Sequence, residues 1–146
     1  MKKIIIVCEG HTEEDFVSRV LYHELWPIDV FVEPRCIPTS PLSSGGSLNK
    51  QRIFHFLRNI LRQQKNVYVT TFFDLYALPK DIHKLEDISA TTDPLNRVLK
   101  IETAFRDAVV REIGCRRERF FPHIQPYEFG ALLFSDEPLA KPSSNL

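Results

Sequence analysis

The 146-residue chain lacks any apolar run near the roughly 18 residues a membrane-spanning helix needs. Near its start, Ile4 to Val7 is too short for the apolar core of a signal peptide, and Glu9 follows almost at once. Net charge is also missing, because 19 Lys and Arg balance 19 Asp and Glu. That argues against a polybasic tail, a membrane-surface patch or a DNA-coating protein, though not against a local basic groove. Cysteine is scarce. Cys8, Cys36 and Cys115 form no CxxC pair, which argues against a disulfide framework or a zinc site. They read as buried small hydrophobes of a cytoplasmic protein. Glycine occurs five times, with no GxxxxGK[ST] phosphate loop and no internal repeat.

What is present is ordinary for a folded domain: 43% hydrophobic and 26% charged residues. The length fits one domain, expected over residues 1–137 with a loose tail at 138–146. Ile4-Ile5-Ile6-Val7 is a continuous β-branched run, the pattern of a strand buried on both faces. Thr12 is placed to cap a helix whose first turn holds Glu13, Glu14 and Asp15. Phe16, Val17, Val20, Leu21 and Leu25 then share a helical face. Ile28 to Pro34 reads as a second strand, and Pro38 to Ser47 as a loop. Leu48 to Gln64 has helical spacing, and Val67 to Phe73 is a strong strand ending at Asp74. Asp93-Pro94 opens a helix, carried by Leu95, Val98, Leu99, Phe105, Ala108 and Val109, that Gly114 stops. Phe120 to Gln125 reads as a fourth strand weakened by Pro122, and Glu128 to Phe134 as the start of another helix.

Strands alternating with helices predict an α/β fold: a parallel sheet of about four strands flanked by helices on both faces. Ligands of such sheets bind outside the carboxyl ends of the strands. Acids stand there: Glu9 after the first strand, Asp74 after the third and Glu128 after the fourth. Glu13, one turn into the first helix, is a candidate fourth ligand. Carboxylates converging on one rim suit Mg²⁺ or Mn²⁺ rather than zinc. Singly, each acid is equally readable as a helix cap or a solvated loop residue.

Cys8-Glu9-Gly10-His11-Thr12-Glu13-Glu14-Asp15-Phe16-Val17 resembles the opening of Toprim-type domains, whose first strand ends in Glu followed by Gly. The longer EGxTEExFV form is similar to Toprim domains of OLD-type nucleases. It is closer still to a related bacterial family of unknown function, often encoded beside an ATPase. Val69 to Pro79 resembles that family's VTTxxDxYxLP block, and Ile124 to Asp136 its IQxxEFEALLFSD block. Ser44-Gly45-Gly46 falls where the family has a glycine pair. The resemblance spans nearly the whole chain. It implies a Toprim-like fold and a divalent-metal-dependent phosphodiester nuclease, working with an ATPase partner in phage defence. Glu9 takes the general acid or base role, and Glu9, Glu13, Asp74 and Glu128 become metal-ligand candidates. Two departures stand out. Toprim domains carry Asp-x-Asp where this chain has Asp74-Leu75-Tyr76, and the family block has a Glu where this chain has Gly130. Family members also continue further past the Leu-Leu-Phe-Ser-Asp segment.

DNA or RNA is the expected partner. His11 lies in the acidic loop. Lys50 and Arg52 sit on the second long helix, and Arg116 and Arg117 cluster before the fourth strand. Each basic set also reads as an ordinary solvated face. Ser43 to Ser47 reads as a flexible loop or a backbone phosphate cradle. A non-catalytic Toprim-fold module that binds an ATPase is the alternative function. A receiver domain fits less well, because Gly10 replaces the expected second acid.

Overall fold

The computed structural model describes residues 1–38, 48–83 and 93–127. Strands β1 (Lys2–Cys8), β2 (Val30–Cys36), β3 (Tyr68–Asp74) and β4 (Ile124–Gln125) form one sheet in the order β2-β1-β3-β4. Every pairing is parallel, as the alternation of strands and helices predicted.

The isoleucine-rich β1 lies at the centre because it feeds two cores. Side chains alternate across a strand, so neighbours in sequence face opposite sides. Ile5 and Val7 join Val69 and Phe73 in the larger core. That core is closed by α3 (Lys50–Gln63) and α5 (Pro94–Ile113), which contribute Ile53, Leu57, Val98 and Phe105. Ile6 and Cys8 join Val32, Phe72 and Val17 on the opposite face. There the cover is one rod: α1 (His11–Phe16), a π-helical turn (Val17–Leu21) and α2 (Tyr22–Leu25). Each fully buried Ile, Val or Phe contributes about 1.5–3 kcal/mol. The chain leaves β1 for β2 on one side, then crosses back to β3 on the other. Right-handed crossovers in opposite directions set the helices on opposite faces.

Local chemistry fixes the element ends, and some differ from expectation. The first helix begins at His11 with Gly10 as its N-cap, so Thr12 lies inside the first turn. The π-helical turn widens the helix to more residues per turn and shifts its phase. Val20 is therefore 43% exposed, while Phe16, Leu21, Tyr22 and Leu25 pack on the smaller core. β2 runs two residues later than its apolar pattern indicated, to Cys36. Asn49 caps α3 by accepting from the Arg52 amide at 2.8 Å. Asp93 caps α5 through the Leu95 amide, Pro94 opens it and Gly114, at φ 84°, ends it. Leu95 and Leu99 stay exposed on α5, and Ile101 takes a buried place. The short helix α4 (Lys80–His83) buries Ile82.

The predicted fourth strand is shortened to Ile124–Gln125 because Pro122 has no amide to pair. β3 side chains serve the approach instead. Thr70 Oγ1 donates to the Phe121 carbonyl at 2.7 Å, and Thr71 Oγ1 to the His123 carbonyl at 2.9 Å. The expected helix at Glu128 to Phe134, the Gly45-Gly46 loop and the tail at 138–146 lie outside the described residues.

Candidate metal centre

The register of β1 and β3 pairs Cys8 with Phe72. Glu9, the residue after β1, and Asp74, the last of β3, therefore reach the same carboxyl edge. It is also where the strand order reverses, between the strand that leads to β2 and the strand that returns as β3. Such a switch point forms a crevice in open parallel sheets.

Gly10 connects the strand to the helix without a spacer. Its backbone is extended (φ −150°, ψ −177°), and its carbonyl accepts the first helical bond from the Glu14 amide at 3.2 Å. The helix thus starts immediately, and its first turn returns Glu13 over Glu9. Carboxylate oxygens of Glu9, Glu13 and Asp74 lie within 4.8 Å of one another, all partly buried. A Cβ at position 10 would stand 3.3 Å from Glu13 Oε2, so glycine leaves room for that carboxylate.

Like charges this close disfavour full ionisation. Burial raises the Glu9 pKa above the ordinary carboxylate value, and the charges of Asp74 and Glu13 add to the rise. The Asp74 backbone amide hydrogen-bonds to Glu9 and opposes it. Glu9 Oε2 is buried and, among the described residues, has no hydrogen-bond partner. No Lys, Arg or His among those residues forms an ion pair with Glu9 or Glu13. A buried, unsatisfied carboxylate oxygen beside two more carboxylates is costly without a cation. The donor set, oxygen only and anionic, fits Mg²⁺ or Mn²⁺.

The other predicted residues divide. Glu128 lies outside the described residues. His11 is beside the cluster, 94% exposed, with Nδ1 3.9 Å from Glu14 Oε2. Lys50 pairs with Glu112 at 3.2 Å and lies over the Phe54 ring. Arg52 is half-buried on the first turn of α3. Arg116 lies 3.7 Å from Glu118, and Arg117 pairs with Asp107. Arg116 and Arg117 precede Phe120 and Phe121, which bond near the start of β3 at Val69. They therefore flank the amino edge of the sheet, a strand length of roughly 20 Å from Asp74. The structure brings Glu9, Glu13 and Asp74 together and leaves Arg116 and Arg117 apart from them.

One residue escaped the sequence reading. Cys36, at the end of β2, is half-buried rather than a core hydrophobe, with Sγ 2.7 Å from Glu14 Oε2. Only the pairing of β1 with β2 brings position 36 to the first helical turn, and no local spacing announces it.

A family model described as a domain of unknown function (DUF4276) matches residues 8–145. No curated protein and no solved structure matches the chain.

Proposed function

The chain belongs to the family described as a domain of unknown function, DUF4276, and on that premise we propose that it is a divalent-metal-dependent phosphodiester nuclease of Toprim type. The observation that carries this reading is the convergence of Glu9, Glu13 and Asp74 at the switch point of a parallel sheet. These three residues would hold Mg²⁺ or Mn²⁺, with Glu128 as a further candidate. Bound there, the cation supplies water activation and offsets charge on a phosphate.

Glu9 is the residue to move a proton at the attacking or leaving oxygen. In the cation-free protein, burial and the neighbouring Asp74 and Glu13 charges raise its pKa, the direction in which a general acid or base is tuned. Asp74 holds Glu9 in place through its backbone amide and adds a ligand oxygen. Gly10 leaves the space that Glu13 occupies. The parallel sheet with helices on both faces is compatible with a Toprim-like fold. The substrate class is DNA or RNA, and the setting is cytoplasmic, beside an ATPase partner in phage defence. The ATPase and phage-defence setting is supported by the sequence resemblance, and the cytoplasmic one by the unpaired cysteines. No helix among the described residues is long and apolar enough to cross a membrane.

One observation favours a second reading, a non-catalytic module that binds the ATPase. Tyr76, 79% exposed, stands where Toprim domains carry their second aspartate. Cleavage assays decide between the two. Purified protein is incubated with DNA and RNA substrates, with Mg²⁺ or Mn²⁺ and with chelator. Glu9→Gln and Asp74→Asn should each lower metal-dependent cleavage by at least about 100-fold. Cleavage by this protein that neither substitution reduces would overturn the proposed site. Absence of cleavage with ATPase co-purification would support the module.

A further inference from the structure

Consecutive residues of α1 face different neighbours. Glu13 meets Glu9 and Asp74, an all-oxygen set. Glu14 meets Cys36 and His11. Cys36 Sγ lies 2.7 Å from Glu14 Oε2 and 3.4 Å from the Gly10 carbonyl oxygen. His11 Nδ1 lies 3.9 Å from the same Glu14 oxygen, and one ligand atom from each of His11, Glu14 and Cys36 lies within 4.8 Å of the others. The β1–β2 register pairs Cys8 with Cys36, and the Ile37 amide donates to the Cys8 carbonyl at 3.2 Å. The end of β2 is thereby fixed beside the first helical turn.

We propose that His11 Nδ1, Glu14 Oε2 and Cys36 Sγ form a second, separate site for a thiophilic divalent cation of the Zn²⁺ class. Zn²⁺ accepts sulfur, imidazole nitrogen and carboxylate oxygen together, whereas Mg²⁺ takes oxygen donors and disfavours sulfur. Bonds of about 2.0–2.3 Å to tetrahedral Zn²⁺ hold donors roughly 3–4 Å apart. The observed spread closes with small side-chain rotations, since His11 is 94% exposed and Glu14 40%. The charges also balance. On binding, the Cys36 thiol releases its proton to solvent and its sulfur bonds to the cation, with no change in oxidation state. Thiolate and carboxylate then neutralise the divalent charge, and imidazole stays neutral. A fourth position, on the exposed His11 side, is left to water.

Cys36 is joined to Glu14 by a thiol–carboxylate hydrogen bond, and His11, one helical turn before Glu14, brings a ring nitrogen within 3.9 Å of the same oxygen. Without a cation, burial and Glu14 push the Cys36 thiol up to about 12, so it stays protonated. Coordination removes that proton, as it does for thiols at metal sites generally. Cys8 takes no part: it is fully buried, with Sγ directed at the Ile6 carbonyl.

Co²⁺ titration of the reduced, full chain tests the site. A thiolate-to-Co²⁺ charge-transfer absorption should appear and saturate at one ion per chain. It should persist in excess Mg²⁺, in Cys8→Ser and in a Glu9→Gln, Asp74→Asn double variant. Cys36→Ser should abolish it. His11→Ala alters only an exposed side chain, so the fold is kept, and Co²⁺ affinity should fall at least about tenfold. Absence of the band in the unmodified chain would overturn the proposal. So would its survival in Cys36→Ser, unchanged affinity in His11→Ala, or its loss in the double variant, which would make the two centres one.

Discussion

Glu9 is held and repelled by the same neighbour: the Asp74 backbone amide hydrogen-bonds to the Glu9 carboxylate while the Asp74 carboxylate pushes its pKa upward. The two effects come from one register. Ending β3 at Asp74, level with the turn after β1, delivers both the amide and the charge. Orientation is thus bought with electrostatic stress, which a cation would relieve.

The first prediction follows from that stress. A carboxylate with a raised folded-state pKa favours folding while it is protonated. That contribution is complete below the ordinary carboxylate value and is lost as pH rises through the raised value. At neutral pH the Glu9 charge therefore works against the fold. Glu9→Gln keeps the shape and removes the charge. It should stabilise the protein at pH 7.5 by about 0.5–1 kcal/mol, a scale set by solvent screening of a half-exposed group. At pH 4 the two proteins should be equal. Urea denaturation at both pH values measures this, and a destabilised Glu9→Gln at pH 7.5 would contradict it. Mn²⁺ at 100 times its Kd should add about 2.7 kcal/mol to the unmodified chain.

The second prediction concerns Gly10. Its extended backbone suits any residue, so Gly10→Ala introduces no conformational strain. The added methyl meets Glu13 Oε2 at 3.3 Å, and the carboxylate must move by a few tenths of an ångström. Alanine is also a poorer N-cap than glycine. Stability should fall by less than about 1 kcal/mol. Mn²⁺ affinity, measured by calorimetry, should fall several-fold, because ligand oxygens tolerate little displacement. Unchanged affinity would show that Glu13 is not a ligand.

Much of this centre was legible because it depends on local pattern plus topology. A β-branched run followed by Glu9, and a second strand followed by Asp74, place both acids on one edge once the sheet is parallel. Asp93, Pro94 and Gly114 likewise mark α5 by short-range chemistry. What escaped depends on distant residues or altered periodicity. The π-helical turn rotates Val20 out of a face that a 3.6-residue period assigns inward. Cys36 acquires His11 and Glu14 as neighbours only through inter-strand pairing. Arg116 and Arg117 read as a basic cluster, and their neighbour Arg119 turns inward while Arg116 stays exposed.

That division supplies the third prediction. The Arg119 guanidinium donates to the carbonyls of Leu61 at 3.0 Å, Val67 at 3.3 Å and Gln64. Two of these carbonyls belong to the last turn and cap of α3, which have no partner within the helix. Val67 begins the approach to β3, so one side chain ties the helix end to the strand start. Arg119→Ala leaves several half-buried carbonyls unsatisfied and should cost about 2–3 kcal/mol. Arg119→Lys should recover only part of this, since an ammonium has no planar fork to span separate acceptors. Arg116→Ala removes a side chain that is 75% exposed and only 3.7 Å from Glu118, and should change stability by less than about 0.5 kcal/mol. Denaturation midpoints of the three variants give the comparison. Nucleic-acid affinity gives the converse one: if Arg116 contacts phosphates, Arg116→Ala should weaken binding and flatten its salt dependence while stability stays fixed. Equal stability losses at Arg116 and Arg119 would mean that the inward orientation of Arg119 is not what holds α3 to β3.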